Sequence, residues 1–201
     1  MDTPKALSSI ETAFGISYMK QVHGADIKFI DKPGEYACDG IFTACDNMAL
    51  VVKTADCMPI LFHSEKEGLS GALHMGWRSA KDGILDNIAF DLSSFTVVAG
   101  VGMRRCCYRV GEEFLGHVRL KPFVNKKGDS YYFDPAGFLR HSLIRKGMKE
   151  ENFIDHNTCS HCSEGGFFSH RKTATKNRTL SFVIKTDVGS RCQLPGSRKN
   201  I

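Results

Sequence analysis

The sequence predicts an α+β fold with mixed β-sheets flanked by helices. Short strand-like runs arrive in clusters rather than in strict alternation with helices, which disfavours a doubly wound parallel sheet. The composition supplies a core: of 201 residues, 42% are hydrophobic and 24% charged, with 19 Gly and 6 Pro, the balance of an ordinary globular protein. No repeat, low-complexity run or Pro/Ser-rich linker divides the chain, so one domain is expected over 1–187, followed by a polar tail at 188–201.

The strand-like runs lie at 26–31, 48–53, 59–63, 69–74, 95–101, 152–155 and 180–185, all but 69–74 carrying β-branched or aromatic residues. Three stretches read as helices. Over 78–94, Ile84, Leu85, Ile88, Ala89 and Leu92 recur at spacings of three and four. A shorter candidate covers 108–118. The third opens at Asp134, an N-cap followed by Pro135 at the first helical position, and runs through Leu139 and Leu143 to Gly147.

Composition also narrows function. No stretch approaches the roughly 20 apolar residues of a membrane span, so no membrane partner is expected. The first residues lack the apolar core of a secretory signal, and a cytoplasmic address is expected. Eight cysteines fall short of a disulfide scaffold, and in a reducing compartment they read as buried hydrophobes, metal ligands or nucleophiles. The net charge of +5 is scattered, denser only near 171–178. That distribution does not suit a nucleic-acid module; it does suit an enzyme handling phosphate or another small anion.

Three segments concentrate chemistry: QVHG at 21–24, TADC at 54–57 and LHMGWR at 73–78. Each puts a metal-ligand residue at a strand end, where side chains from several strands converge. His23, Cys57 and His74 form a three-ligand set of the catalytic zinc type, separated by 34 and 17 residues, too far apart for a zinc finger. One thiolate and two neutral imidazoles leave the ion a net positive charge and an open fourth position. Asp56, beside Cys57, is a candidate proton carrier or partner of a ligand. On spacing alone, an inert buried cysteine is the commoner reading.

QVHG, DGIFT at 39–43, VKTADCMPIL at 52–61 and HMGWR at 74–78, with CCYRVGEEF at 106–114, TCSHC at 158–162 and GFFSHRK at 166–172, resemble one widespread family. It is the family long labelled multicopper polyphenol oxidase, or laccase-like. It is now described as purine nucleoside phosphorylases with adenosine deaminase activity, some bacterial members being called peptidoglycan-editing factors. The resemblance implies a layered α/β/β/α fold similar to the cytotoxic-necrotising-factor deamidase domain. It also implies a catalytic zinc on His23, Cys57 and His74, with purine nucleosides and inorganic phosphate as substrates.

Arg78, Arg171 and Arg178 are the candidates for phosphate or ribose, because guanidinium forks match phosphate oxygens. Trp77 or Phe168 is a candidate platform for a purine. Gly40 and Thr43 are expected to shape a turn near the site. The chain departs from the family pattern in having 22 residues before His23, Ser79 after HMGWR, and TKNR at 175–178. These departures bear on the substrate pocket and leave the ligand triad intact.

Cys159 and Cys162, with His156 and His161 nearby, raise a second metal site. Structural zinc wants two cysteine pairs, whereas Cys106 and Cys107 are adjacent and Cys192 stands alone in the tail; the segment reads as non-metal. Copper is not expected, since a laccase needs many more paired histidines, although Met58 or Met75 is available as an axial ligand. Two other functions use the same residues: a metal-free Cys–His hydrolase or deamidase, and a binding or peptidoglycan-editing protein without turnover.

Overall fold

The computed structural model describes residues 13–186; the tail expected at 188–201 lies outside them. A four-stranded sheet places β1 (Gly15–Met19) between β3 (Gly34–Tyr36) and β5 (Met48–Thr54), both parallel to it, with β13 (Thr179–Lys185) antiparallel to β5. The six-stranded sheet has the order β12 (Phe153–Asp155), β8 (Thr96–Ala99), β6 (Met58–Ser64), β7 (Leu69–Met75), β4 (Gly40–Thr43), β2 (Ile27–Phe29). Its centre is antiparallel and its two edge pairs are parallel. A small antiparallel sheet joins β9 (Arg109–Val110), β11 (Ser130–Phe133) and β10 (Val124–Lys127). The fold is α+β with mixed sheets, as expected.

Side-chain alternation along the strands creates two apolar layers. Met19, Leu50 and Val52 meet Ile41 and Ala72 between the large sheets. On the other face, Phe42, Ile60, Phe62 and Leu73 pack under Ile84, Leu85, Ile88 and Leu92, and under Phe138, Leu139 and Leu143 of α2 (Pro135–Ile144). Each fully buried side chain of this size contributes about 1.5–3 kcal/mol. β7 lies between the layers and is buried along its whole length.

α2 begins as read: Asp134 Oδ1 accepts from Gly137 N at 2.9 Å, and Pro135 opens the first turn. The other two helices differ from expectation. α1 is only Trp77–Lys81, because Gly83 takes φ 85° and turns the chain out of the helix. Ile84, Leu85, Ile88 and Leu92 still reach the core, from irregular turns, while Ala89 is exposed. The stretch 108–118 divides into β9 and a 3-10 helix, Glu112–Gly116, with extended Gly111 between them. All seven strand-like runs contain strands; β1, β3, β4 and β9–β11 are additional. Cys45 is disulfide-bonded rather than a free thiol. No helix among the described residues is long and apolar enough to cross a membrane.

Candidate metal and substrate site

The topology brings the three ligand segments to one end of the sheets. β1 and β5 are parallel, so the chain leaves both at the same edge. Cys57 sits in the tight turn from β5 into β6, and the register pairs Met58 with Met75 and Pro59 with His74. His23 lies in the turn after β1, in the left-handed region at φ 62°. The donor atoms of His23, Cys57 and His74 lie within 4.8 Å of one another, and the two imidazoles meet edge-on, centroids 4.8 Å apart.

Asp39 organises this cluster. Fully buried just before β4, it receives His74 Nδ1 on Oδ1 at 2.8 Å. Its two oxygens also accept the backbone N–H groups of Val22, His23 and Gly24 at 3.2, 3.0 and 2.8 Å. One carboxylate therefore fixes both the His74 ring and the His23 turn, and leaves His74 Nε2 for the cluster. Gly76 supplies the space: a Cβ there would stand 3.1 Å from Cys57 Sγ and 3.3 Å from His23 Cδ2.

Electrostatics follow from this packing. Burial pushes the Cys57 thiol up, but hydrogen bonds and charge from His23 and His74 outweigh it and bring it down from 9.0 to about 6. Burial pushes the His74 imidazole down, but Asp39 and Cys57 outweigh it and raise it from 6.5 to about 9. Burial is likewise outweighed at Asp39, whose carboxyl is held below its usual value by His74 and the backbone N–H groups. A thiolate and two imidazoles, one anchored by a carboxylate on its far nitrogen, fit a divalent metal held by three protein ligands.

The cluster opens into a cavity of about 670 Å³ that also takes in Asp56, Trp77, Arg78, Tyr108, Arg171 and Arg178. Lys20, Lys53 and Lys176 join the arginines on its wall, against the carboxylates of Glu35 and Asp56. Arg78 stacks over Trp77, 4.9 Å from the ring centroid. Arg171 lies 5.8 Å from the Tyr108 ring and gives one N–H to Arg109 O at 2.9 Å. Arg178 donates to Thr175 O and Asn177 O, folding back on its own loop. Burial, with Cys57 and Asp56 nearby, raises the Tyr108 phenol well above its ordinary value. Phe168 is exposed and does not line this cavity.

Asp56 faces away from the ligand cluster. In a left-handed turn at φ 92°, it accepts Ser160 Oγ at 2.8 Å and Arg171 N at 2.7 Å, so its two oxygens tie the Cys57 turn to the segment after β12 and to α3 (His170–Thr173). Asp39, Tyr108 and the three lysines were not singled out from the sequence. Asp39 opens DGIFT, Lys53 and Tyr108 lie inside VKTADC and CCYRV, Lys20 precedes QVHG and Lys176 lies in TKNR.

A second cluster involves the CSHC segment, which the sequence reads as non-metal. Cys106, Cys107, Cys159 and Cys162 come together, their sulfur atoms all within 4.8 Å of one another. The parallel bridge Gly102–Cys159 sets the two segments side by side, which sequence separation conceals.

The comparisons with known proteins bear on the family and the fold. A relative in Geobacillus stearothermophilus named purine nucleoside phosphorylase YlmD is 28% identical over 191 residues, covering 82% of this chain and 70% of its own. One in Aquifex aeolicus named purine nucleoside phosphorylase is 32% identical over 164 residues, covering 79% and 76%. The crystal structure of YlmD superposes with TM-score 0.76 at 27% identity, over 86% of this chain and 74% of that one. The Bacillus licheniformis protein YfiH shares the fold with TM-score 0.80 at 22% identity, over 90% and 79%. The family model described as multi-copper polyphenol oxidoreductase laccase matches residues 5–186, and the chain belongs to that family.

Proposed function

We propose that the chain is a cytoplasmic zinc-dependent purine nucleoside phosphorylase that also deaminates adenosine. The observation that carries the reading is the convergence of His23, Cys57 and His74 on the wall of one cavity whose remaining charged lining is mainly cationic. The relatives' printed name, purine nucleoside phosphorylase, supports the same activity. Zinc on those three residues would supply an electrophilic centre open towards the cavity. Zinc is favoured over copper because the donor groups among the described residues are one His₂Cys set and one Cys₄ set, and Met58 and Met75 pack into the apolar core.

The other residues have separable tasks. Arg78, Arg171 and Arg178, with Lys53 and Lys176, draw inorganic phosphate into the cavity and orient it. Trp77 and Tyr108 offer flat apolar faces to a purine. The neutral Tyr108 phenol keeps an O–H to donate to a substrate acceptor. Asp39 holds the ligand histidines in place, and Asp56 positions Arg171 through its backbone N–H. Phosphorolysis breaks the glycosidic C–N bond, joins a phosphate oxygen to the sugar carbon and returns a proton to the base.

The test is base release from inosine and adenosine by the zinc-replete chain, with and without inorganic phosphate. Phosphate-dependent release, lost in His74→Ala, is expected; release that ignores phosphate overturns the phosphorylase reading. The thiolate–imidazolium pair of Cys57 and His74, backed by Asp39, favours one second reading, an amide hydrolase with Cys57 as nucleophile. Metal-free protein that is active on glutamine side chains and inactivated by alkylation at Cys57 would establish it. No turnover in either assay would leave a binding or peptidoglycan-editing protein.

A further inference from the structure

Cys106 and Cys107 lie between β8 and β9, and Cys159 and Cys162 lie in the turn after β12. The Cys106 Sγ to Cys162 Sγ separation is 3.7 Å. A disulfide would need about 2.05 Å. Four thiolates around one zinc, with Zn–S of about 2.3 Å and tetrahedral angles, put neighbouring sulfur atoms about 3.8 Å apart. The observed spacing matches the second arrangement.

The surroundings suit a bound cation. Cys159 is buried, and the backbone N–H groups of Arg104, His161 and Cys162 point at its sulfur, the pattern that holds a thiolate in a knuckle around a metal. Cys106 and Cys162 are exposed, which leaves an entry path. Hydrogen bonds outside the cluster align the segments: Ser160 N donates to Gly102 O at 3.0 Å, and Arg104 reaches Thr158 O and Asp155.

We propose that Cys106, Cys107, Cys159 and Cys162 form a second, structural zinc site with four sulfur ligands. It needs no open position and does no chemistry. It clamps two walls of the substrate cavity, because Tyr108 follows Cys107 directly and Ser160, between Cys159 and Cys162, holds Asp56. The site is independent of the catalytic triad.

The deciding experiment measures zinc content and X-ray absorption on the full chain purified from zinc-supplemented growth. In His23→Ala/Cys57→Ala, which lacks the triad, about one zinc per chain is expected to remain, surrounded by four sulfur atoms at about 2.3 Å. Wild type should hold about two, and Cys106→Ser/Cys162→Ser about one, with mixed nitrogen and sulfur ligands. Loss of all zinc from the triad variant while wild type keeps one overturns the proposal and leaves the triad standing. Zinc retained equally by wild type and the triad variant keeps the proposal and removes the triad. A Cys106–Cys162 disulfide in the purified wild type, found by mass spectrometry without reduction, overturns it as well. The triad variant decides the matter even if the double serine variant does not fold.

Discussion

Asp39 joins two ligands that are 51 residues apart in the chain, through one side-chain bond to His74 and backbone bonds to the His23 turn. Asp39→Asn is therefore expected to weaken metal binding about 10–100-fold, measured by chelator competition; unchanged affinity would remove Asp39 from the site. Gly76→Ala tests the packing behind the cluster. A methyl group 3.1 Å from Cys57 Sγ must push that sulfur aside by a few tenths of an ångström, so weaker metal binding is expected in a chain that stays folded by circular dichroism. The pH response follows from the thiol. In metal-stripped protein Cys57 is deprotonated above about pH 6 rather than 9.0, so its alkylation rate should rise through about pH 6 and level off well below the range of an ordinary thiol. A rise centred near 9 would mean that the imidazoles do not act on it. His23, Cys57 and His74 were legible because motif residues at strand ends mark them. Asp39 was not, because a carboxylate that serves through hydrogen bonds leaves no spacing signature.

Strands with alternating β-branched and aromatic residues were readable, since a half-buried sheet imposes that pattern. β4, Gly40–Thr43, is buried on every residue, which erases alternation, and its sequence reads as a turn. The helical reading of 78–94 failed for a different reason: Ile84, Leu85, Ile88 and Leu92 do share a buried environment, and burial produces the same periodicity whether or not the backbone stays helical past Gly83. Asp134 was legible because capping is local chemistry. Asp134→Ala should cost about 1 kcal/mol, a fall of about 2–4 °C in Tm for a domain of this size. At the sheet centre, Gly71 faces Phe42 across β4 and β7, and an added Cβ would fall 2.1 Å from that ring. Gly71→Ala should destabilise by about 1–3 kcal/mol through overpacking, read by chemical denaturation; a neutral outcome would mean that Phe42 moves freely.

Across the whole molecule, the modest net charge of +5 conceals its distribution. Lysines and arginines from five segments of the chain meet at one cavity, a convergence that only the fold creates. The same holds for the four cysteines, whose adjacency as Cys106–Cys107 looked unlike a ligand pair until the turn after β12 came beside it. Arg171→Ala removes a cavity guanidinium while its backbone N–H keeps Asp56 in place, so KM for phosphate should rise about tenfold or more with little change in Tm. An unchanged KM would place phosphate elsewhere. The central claim, a three-ligand metal centre that splits purine nucleosides with phosphate, is tested most directly by following inosine conversion by the zinc-loaded chain. Hypoxanthine and ribose 1-phosphate formed in equal amounts, only when phosphate is present and not by His74→Ala, is the result expected. No hypoxanthine above that variant, from protein shown to carry zinc at the triad, would contradict it.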